Sequence, residues 1–131
     1  MAGNTSPYFT ETPVCAMVIV SGANALRDGT GLLHTALTAG NNGTRVDCIR
    51  AQASGTVAAG QVRIFLSGTN QAGNHLFKEF LVAATNPSTT VEAFSYDWTP
   101  PGPLVLPSGA ALKFSTNNND QFRCFVIGGD F

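Results

Sequence analysis

The chain has little charge. Asp, Glu, Lys and Arg make up 11% of its 131 residues, against about 25% in an ordinary soluble domain. The basic residues stand singly at Arg27, Arg45, Arg50, Arg63, Lys78, Lys113 and Arg123, and the net charge is −1. Phosphate binding draws on several cations acting together, so this distribution predicts no nucleic-acid partner. A genome-packaging arm is disfavoured for the same reason, because the residues before Pro13 include Glu11 and no Lys or Arg. Sparse charge also points to a surface that meets other protein.

Long hydrophobic runs are missing too. The longest early one, "VCAMVIV" from Val14 to Val20, falls far short of the roughly 20 residues that span a bilayer. Nothing basic precedes it, as a signal peptide would require. The expectation is a chain made in the cytoplasm without a signal peptide, with no membrane partner. Cysteine is scarce and unpaired in pattern: Cys15, Cys48 and Cys124 are widely spaced with no Cys-x-x-Cys. That indicates neither a disulfide framework nor a zinc site, and predicts three small buried thiols.

Catalytic chemistry has few candidates. Of the two histidines, His34 lies within "LLHTALT" and His75 follows "QAGN", with no carboxylate at metal-ligand spacing. Glu11, Asp28, Asp47, Glu79, Glu92, Asp97, Asp120 and Asp130 are spread along the chain; a β fold could unite a pair, as glycoside hydrolysis requires. There is no phosphate-binding loop, nucleophile elbow or dinucleotide fingerprint. "NNND" at 117–120 contains one carboxylate and reads as a turn before it reads as a calcium loop. The expectation is a non-enzyme without cofactor or metal.

What the sequence does contain is strands. No apolar pattern at i, i+3, i+4, i+7 persists, while short β-rich runs recur between Gly, Pro, Asn and Thr. They fall at 14–20, 32–38, 45–53, 61–67, 75–83, 91–98, 111–116 and 121–127, with a short edge contact at 104–106 after the proline-rich "TPPGPLVLPSG". Such a chain covers its apolar faces as a two-sheet β-sandwich or jelly roll. The reading is one all-β domain over 14–131 behind an extended N-terminal arm, 1–13, that could instead begin the first edge strand.

Alternation assigns faces. Val62, Ile64 and Leu66 face the core with Arg63 pointing away, and Phe94, Tyr96 and Trp98 share a face. The last strand is apolar on both sides, with Phe122, Cys124 and Val126 on one and Phe125 and Ile127 on the other. Asn42-Gly43 predicts a hairpin between 32–38 and 45–53, and "SGTNQAGNH" predicts a longer one between 61–67 and 75–83.

The polar Thr/Pro start, "TGLLHTALTAGNNGTRVDCIRAQASGTVAAGQVRIFL", "PPGPLVLPSGAALKFST" and the terminal "FVIGGDF" together resemble small virion proteins encoded among the structural genes of tailed bacteriophages. The resemblance covers the chain from about Thr30 onward. It implies a capsid decoration or minor capsid protein in the virion, with the major capsid protein and itself as partners. A trimer is favoured over a dimer, because such proteins often sit on local threefold positions. Pro7, Tyr8 and Phe9 of the arm, with Phe94, Tyr96, Trp98, Phe125 and Phe131, are the expected capsid or subunit interface. A binding module of a phage tail or fibre tip, recognising a host-surface ligand, is the alternative.

Overall fold

A computed structural model describes residues 10–102 and 104–131. They form nine strands and no helix: β1 (Thr12–Val20), β2 (His34–Thr38), β3 (Thr44–Ala53), β4 (Gly60–Ser67), β5 (His75–Val82), β6 (Ser95–Trp98), β7 (Leu104–Leu106), β8 (Ala111–Thr116) and β9 (Phe122–Asp130). One sheet has the order β1-β9-β3-β6, with β7 also pairing β3; the other has the order β2-β8-β4-β5. Every ladder between strands is antiparallel.

That order is a folded ribbon. Setting β7 aside, the chain pairs β1 with β9, β2 with β8, β3 with β6 and β4 with β5, as in one long hairpin with its tip between β4 and β5. Rolling the ribbon sends successive pairs to alternate sheets, which is a jelly roll. The all-β, two-sheet expectation is met, and the short 104–106 contact is the ninth strand.

The core lies between the sheets and is built from alternate residues of each strand: Val46, Ile49, Ala51 and Ala53 of β3, Val62 and Ile64 of β4, Leu112 and Phe114 of β8, and Phe122, Cys124 and Val126 of β9. Gly128 lets β9 pass the bulge in β3 between Val46 and Cys48, where a Cβ would meet Arg45 O at 1.8 Å.

The structure alters two expectations and adds to a third. The Asn42-Gly43 reversal forms, with Gly43 at φ 90° and its N–H donated to Gly40 O at 3.0 Å, but it makes no hairpin. β2 pairs β8 and β3 pairs β9, so the turn carries the chain from one sheet to the other. Arg63 does point away from the core, yet it is only 2% exposed. Segment 21–33 covers it: Asn24 N–H donates to Thr116 O, and Arg63 Nη1 donates to Asn24 O at 2.9 Å. Finally, β1 begins at Thr12, and Glu11 N–H donates to Asp130 O at 2.8 Å, so the edge strand takes in the last two residues of the expected arm. Pro7, Tyr8 and Phe9 lie outside the described residues.

Candidate functional site

The two sheets differ in what lies on their outer faces. Segment 21–33 lies over part of that of the β2-β8-β4-β5 sheet, where Arg63 and Phe65 are buried, while Leu76 and Leu81 of β5 remain exposed. Glu79 accepts from Arg63 Nε at 3.0 Å and from Arg27 Nε at 2.6 Å. The hydrogen bond from Arg27 chiefly holds the Glu79 carboxyl below its ordinary range, against the desolvation that would raise it.

The outer face of β1, β9 and β3 has no comparable cover among the described residues. Because β1 packs Val14, Ala16 and Val18, partly buried, and Val20, fully buried, against the core, its other residues point outward. Register aligns them in rows. Cys15 lies beside Ile127, which lies beside Cys48; Met17 lies beside Phe125, then Arg50, then Asp97; Ile19 lies beside Arg123, then Gln52. Met17, Ile19 and Ile127 are 47%, 42% and 44% exposed. This is a continuous apolar surface, and on monomers such surfaces mark interaction sites.

Its far margin is charged. Arg50 Nε and Nη2 reach both oxygens of Asp97 at 2.5 and 2.9 Å, a bidentate geometry that fixes the guanidinium against the carboxylate. The pairing holds Asp97 below the ordinary carboxylate range and raises Arg50. Between this pair and Phe125, Ile127 and Cys48 lies a shallow groove of about 340 Å³. The same surface carries Cys15, exposed, and Cys48, half-buried, whereas Cys124 is buried and its thiol pushed up to about 12 by desolvation. The expectation of three buried thiols therefore holds for Cys124 alone, because the alternation of β1 turns Cys15 outward.

The predicted interface residues separate. Phe125 sits in the apolar outer face. Phe131 donates its N–H to Gly43 O at 3.2 Å and lies against the β2–β3 turn. Phe94, just before β6, and Tyr96 and Trp98 of β6 turn toward the core, and the latter two meet β5 across the sandwich. Tyr96 stacks on Phe80 with centroids 4.4 Å apart, Trp98 meets Phe77 edge-on at 5.7 Å, and Phe94 meets Phe122 at 6.1 Å. Phe94, Tyr96 and Trp98 thus line a seam between the two sheets at one side of the sandwich, each still partly exposed.

The polar candidates are tied into the fold. His34 Nε2 lies 2.9 Å from Ser21 O. In the 117–120 loop, Asn117 Oδ1 accepts from Gln61 N, Asn119 Oδ1 from Ala23 N, and Asp120 Oδ2 from Ala58 N. These oxygens pin neighbouring loops. Among the described residues, no three His, Cys, Asp or Glu side chains gather to hold a metal, and no helix is long and apolar enough to cross a membrane.

Sequence reading missed Cys15, Met17 and Ile19 as surface residues. The signal available is the alternation of 14–20, which puts Val14, Ala16, Val18 and Val20 on one face and Cys15, Met17 and Ile19 on the other. Compared with known protein families and with curated protein sequences, the chain matches none.

Proposed function

We propose that this protein is a structural virion protein that binds and cements or decorates a bacteriophage capsid surface as a homo-oligomer. The observation that carries the reading is the asymmetry of the sandwich. Segment 21–33 lies over part of one outer face and ties down Arg63, although Leu76 and Leu81 of β5 stay exposed there, while the other face carries an uncovered row of Met17, Ile19 and Ile127 beside Phe125. A subunit that adds no chemistry and adheres to its neighbours needs such a body, with a rigid roll behind one apolar face. The jelly-roll order is compatible with this role, since the architecture occurs in viral capsid domains, though also in lectins and cupins.

The rival, a tail or fibre-tip binding module, would use the groove beside Phe125, where an aromatic ring adjoins the Arg50–Asp97 pair. Copy number separates the two. Quantitative mass spectrometry of purified particles should find hundreds of copies, and the isolated protein should co-sediment with capsids lacking it. A handful of copies, or co-sedimentation with tails alone, would transfer the assignment to the tail.

A further inference from the structure

We infer that the open edge of β1 is a self-pairing edge, taking β1 of a second copy antiparallel about a twofold axis so that the sheet runs on through both subunits. The inference rests on the homo-oligomer reading and selects the dimer over the trimer.

The first argument is the strand itself. β1 lies at the end of its sheet, with β9 on one side only. Its nine residues run in unbroken register, without a bulge, and none is charged. A strand of this kind presents alternate N–H and C=O groups to a side where no strand pairs with it among the described residues. Natural edges are usually blunted by lysine, a bulge or shortness. β1 has Pro13 near its start and no other such device. The groups it exposes are satisfied by another strand, and an antiparallel copy of β1 supplies the matching donors and acceptors with identical alternation.

The second argument is charge. Glu11 precedes β1 at one end, beside Asp130, while Ile19 at the other end lies beside Arg123. Among the described residues neither Glu11 nor Arg123 has an ion-pair partner, and Arg123 donates to Ser54 Oγ at 2.8 Å. Within one chain the strand's length separates them. A twofold centred on Cys15 sets Glu11 of one copy in the row that continues through Ile19 and Arg123 of the other, and does so twice. Parallel pairing would bring like ends together. The same axis makes the two Cys15 side chains direct cross-strand neighbours, with Cβ atoms about 5 Å apart, and sets the exposed Met17 of each copy beside Pro13 of the other.

The test uses the full chain in a Cys48→Ser background, where Cys15 is the remaining reactive thiol. Light scattering should give twice the 13.7 kDa chain mass, and a short bismaleimide should link two chains through Cys15, as located by peptide mapping. Met17→Lys, at an exposed site that leaves folding intact by circular dichroism, should abolish linkage and halve the mass. Glu11→Arg and Arg123→Glu should each weaken the dimer about fivefold or more, and the double exchange should restore it. A trimer, or a dimer that survives Met17→Lys without linkage through Cys15, refutes pairing at this edge while leaving homo-oligomerisation standing. A monomer at about 100 μM that still co-sediments with capsids refutes self-pairing and leaves capsid attachment standing.

Discussion

Phe80 of β5 and Tyr96 of β6 stack nearly parallel, with ring planes 9° apart and centroids 4.4 Å apart, and so join the two sheets at their shared margin. Neither strand pairs with the other. Side-chain packing is therefore what closes the roll on that side, with Phe77 and Trp98 next along the seam and Lys78 Nζ 5.5 Å from the Trp98 ring centroid.

Phe80→Ala should consequently act on stability. Phe80 is 5% exposed, and truncating a buried phenylalanine costs about 3–5 kcal/mol. The denaturation midpoint should fall with little change in the urea dependence of the unfolding free energy. If the aromatic set were an intersubunit stripe instead, the variant would dissociate while keeping its melting temperature.

Much of the fold was legible in the sequence, and the failures have physical causes. Period-2 alternation located the strands to within a few residues, except where 91–94 turns through mutual Ser88–Val91 hydrogen bonds before β6 begins at Ser95. Alternation also grouped Phe94, Tyr96 and Trp98 correctly. What it could not assign was which sheet each strand joins, since that depends on partners distant in sequence: Asn42-Gly43 encodes a reversal, and only β8 and β9 decide that it crosses between sheets. The buried Arg63 was equally hidden, because its cover comes from a loop some 40 residues away in the chain, through Asn24. At the candidate surface, Phe125 and Ile127 were visible as a second apolar face of the last strand. Their β1 neighbours were not, because an edge strand apolar on both faces reads like a buried one.

The thiols should react in a fixed order. Cys15 is exposed, Cys48 intermediate and Cys124 buried with its thiol pushed up to about 12. Since the thiolate is the reactive form, iodoacetamide at pH 8 followed by peptide mapping should modify Cys15 first, Cys48 slowly and Cys124 only in denaturant. Native labelling of Cys124 at a rate matching Cys15 would contradict the packing of β9.

Acid should remove the support that Glu79 gives to Arg63 and to segment 21–33 through Arg27. Its carboxyl titrates below the ordinary value, chiefly through Arg27 and then Arg63, so the folded state binds the proton less readily than the unfolded one. The contribution is complete above the unfolded pKa, near 4.5, and is lost as pH falls through the lower folded one. Glu79→Gln should lose on the order of 2 kcal/mol at pH 7, because it leaves the buried Arg63 guanidinium with Asn24 O and Gln61 Oε1 but no counter-charge. Urea unfolding between pH 7 and pH 3 should then show the curves of the wild type and the Glu79→Gln variant converging at the acid end; parallel curves would exclude the linkage.

The close pass of β9 over β3 should be intolerant of a single methyl group. A Cβ on Gly128 would fall 1.8 Å from Arg45 O and 3.1 Å from Val46 Cα, both backbone atoms at the bulge, whereas one on Gly55 meets nothing within 4 Å. Backbone cannot rotate aside as a side chain does, so Gly128→Ala must separate the two central strands of the open sheet. That costs at least the roughly 1–3 kcal/mol typical of overpacking. Gly55→Ala should leave the melting temperature within a few degrees of wild type. Because β9 also backs Phe125 and Ile127, the displacement at Gly128 should reach the apolar outer face: hydrogen exchange in Gly128→Ala should accelerate along β9 and β1 together while β4 and β8 stay protected. Exchange confined to the 126–130 segment would mean that the strain is absorbed at the bulge and never reaches the candidate surface.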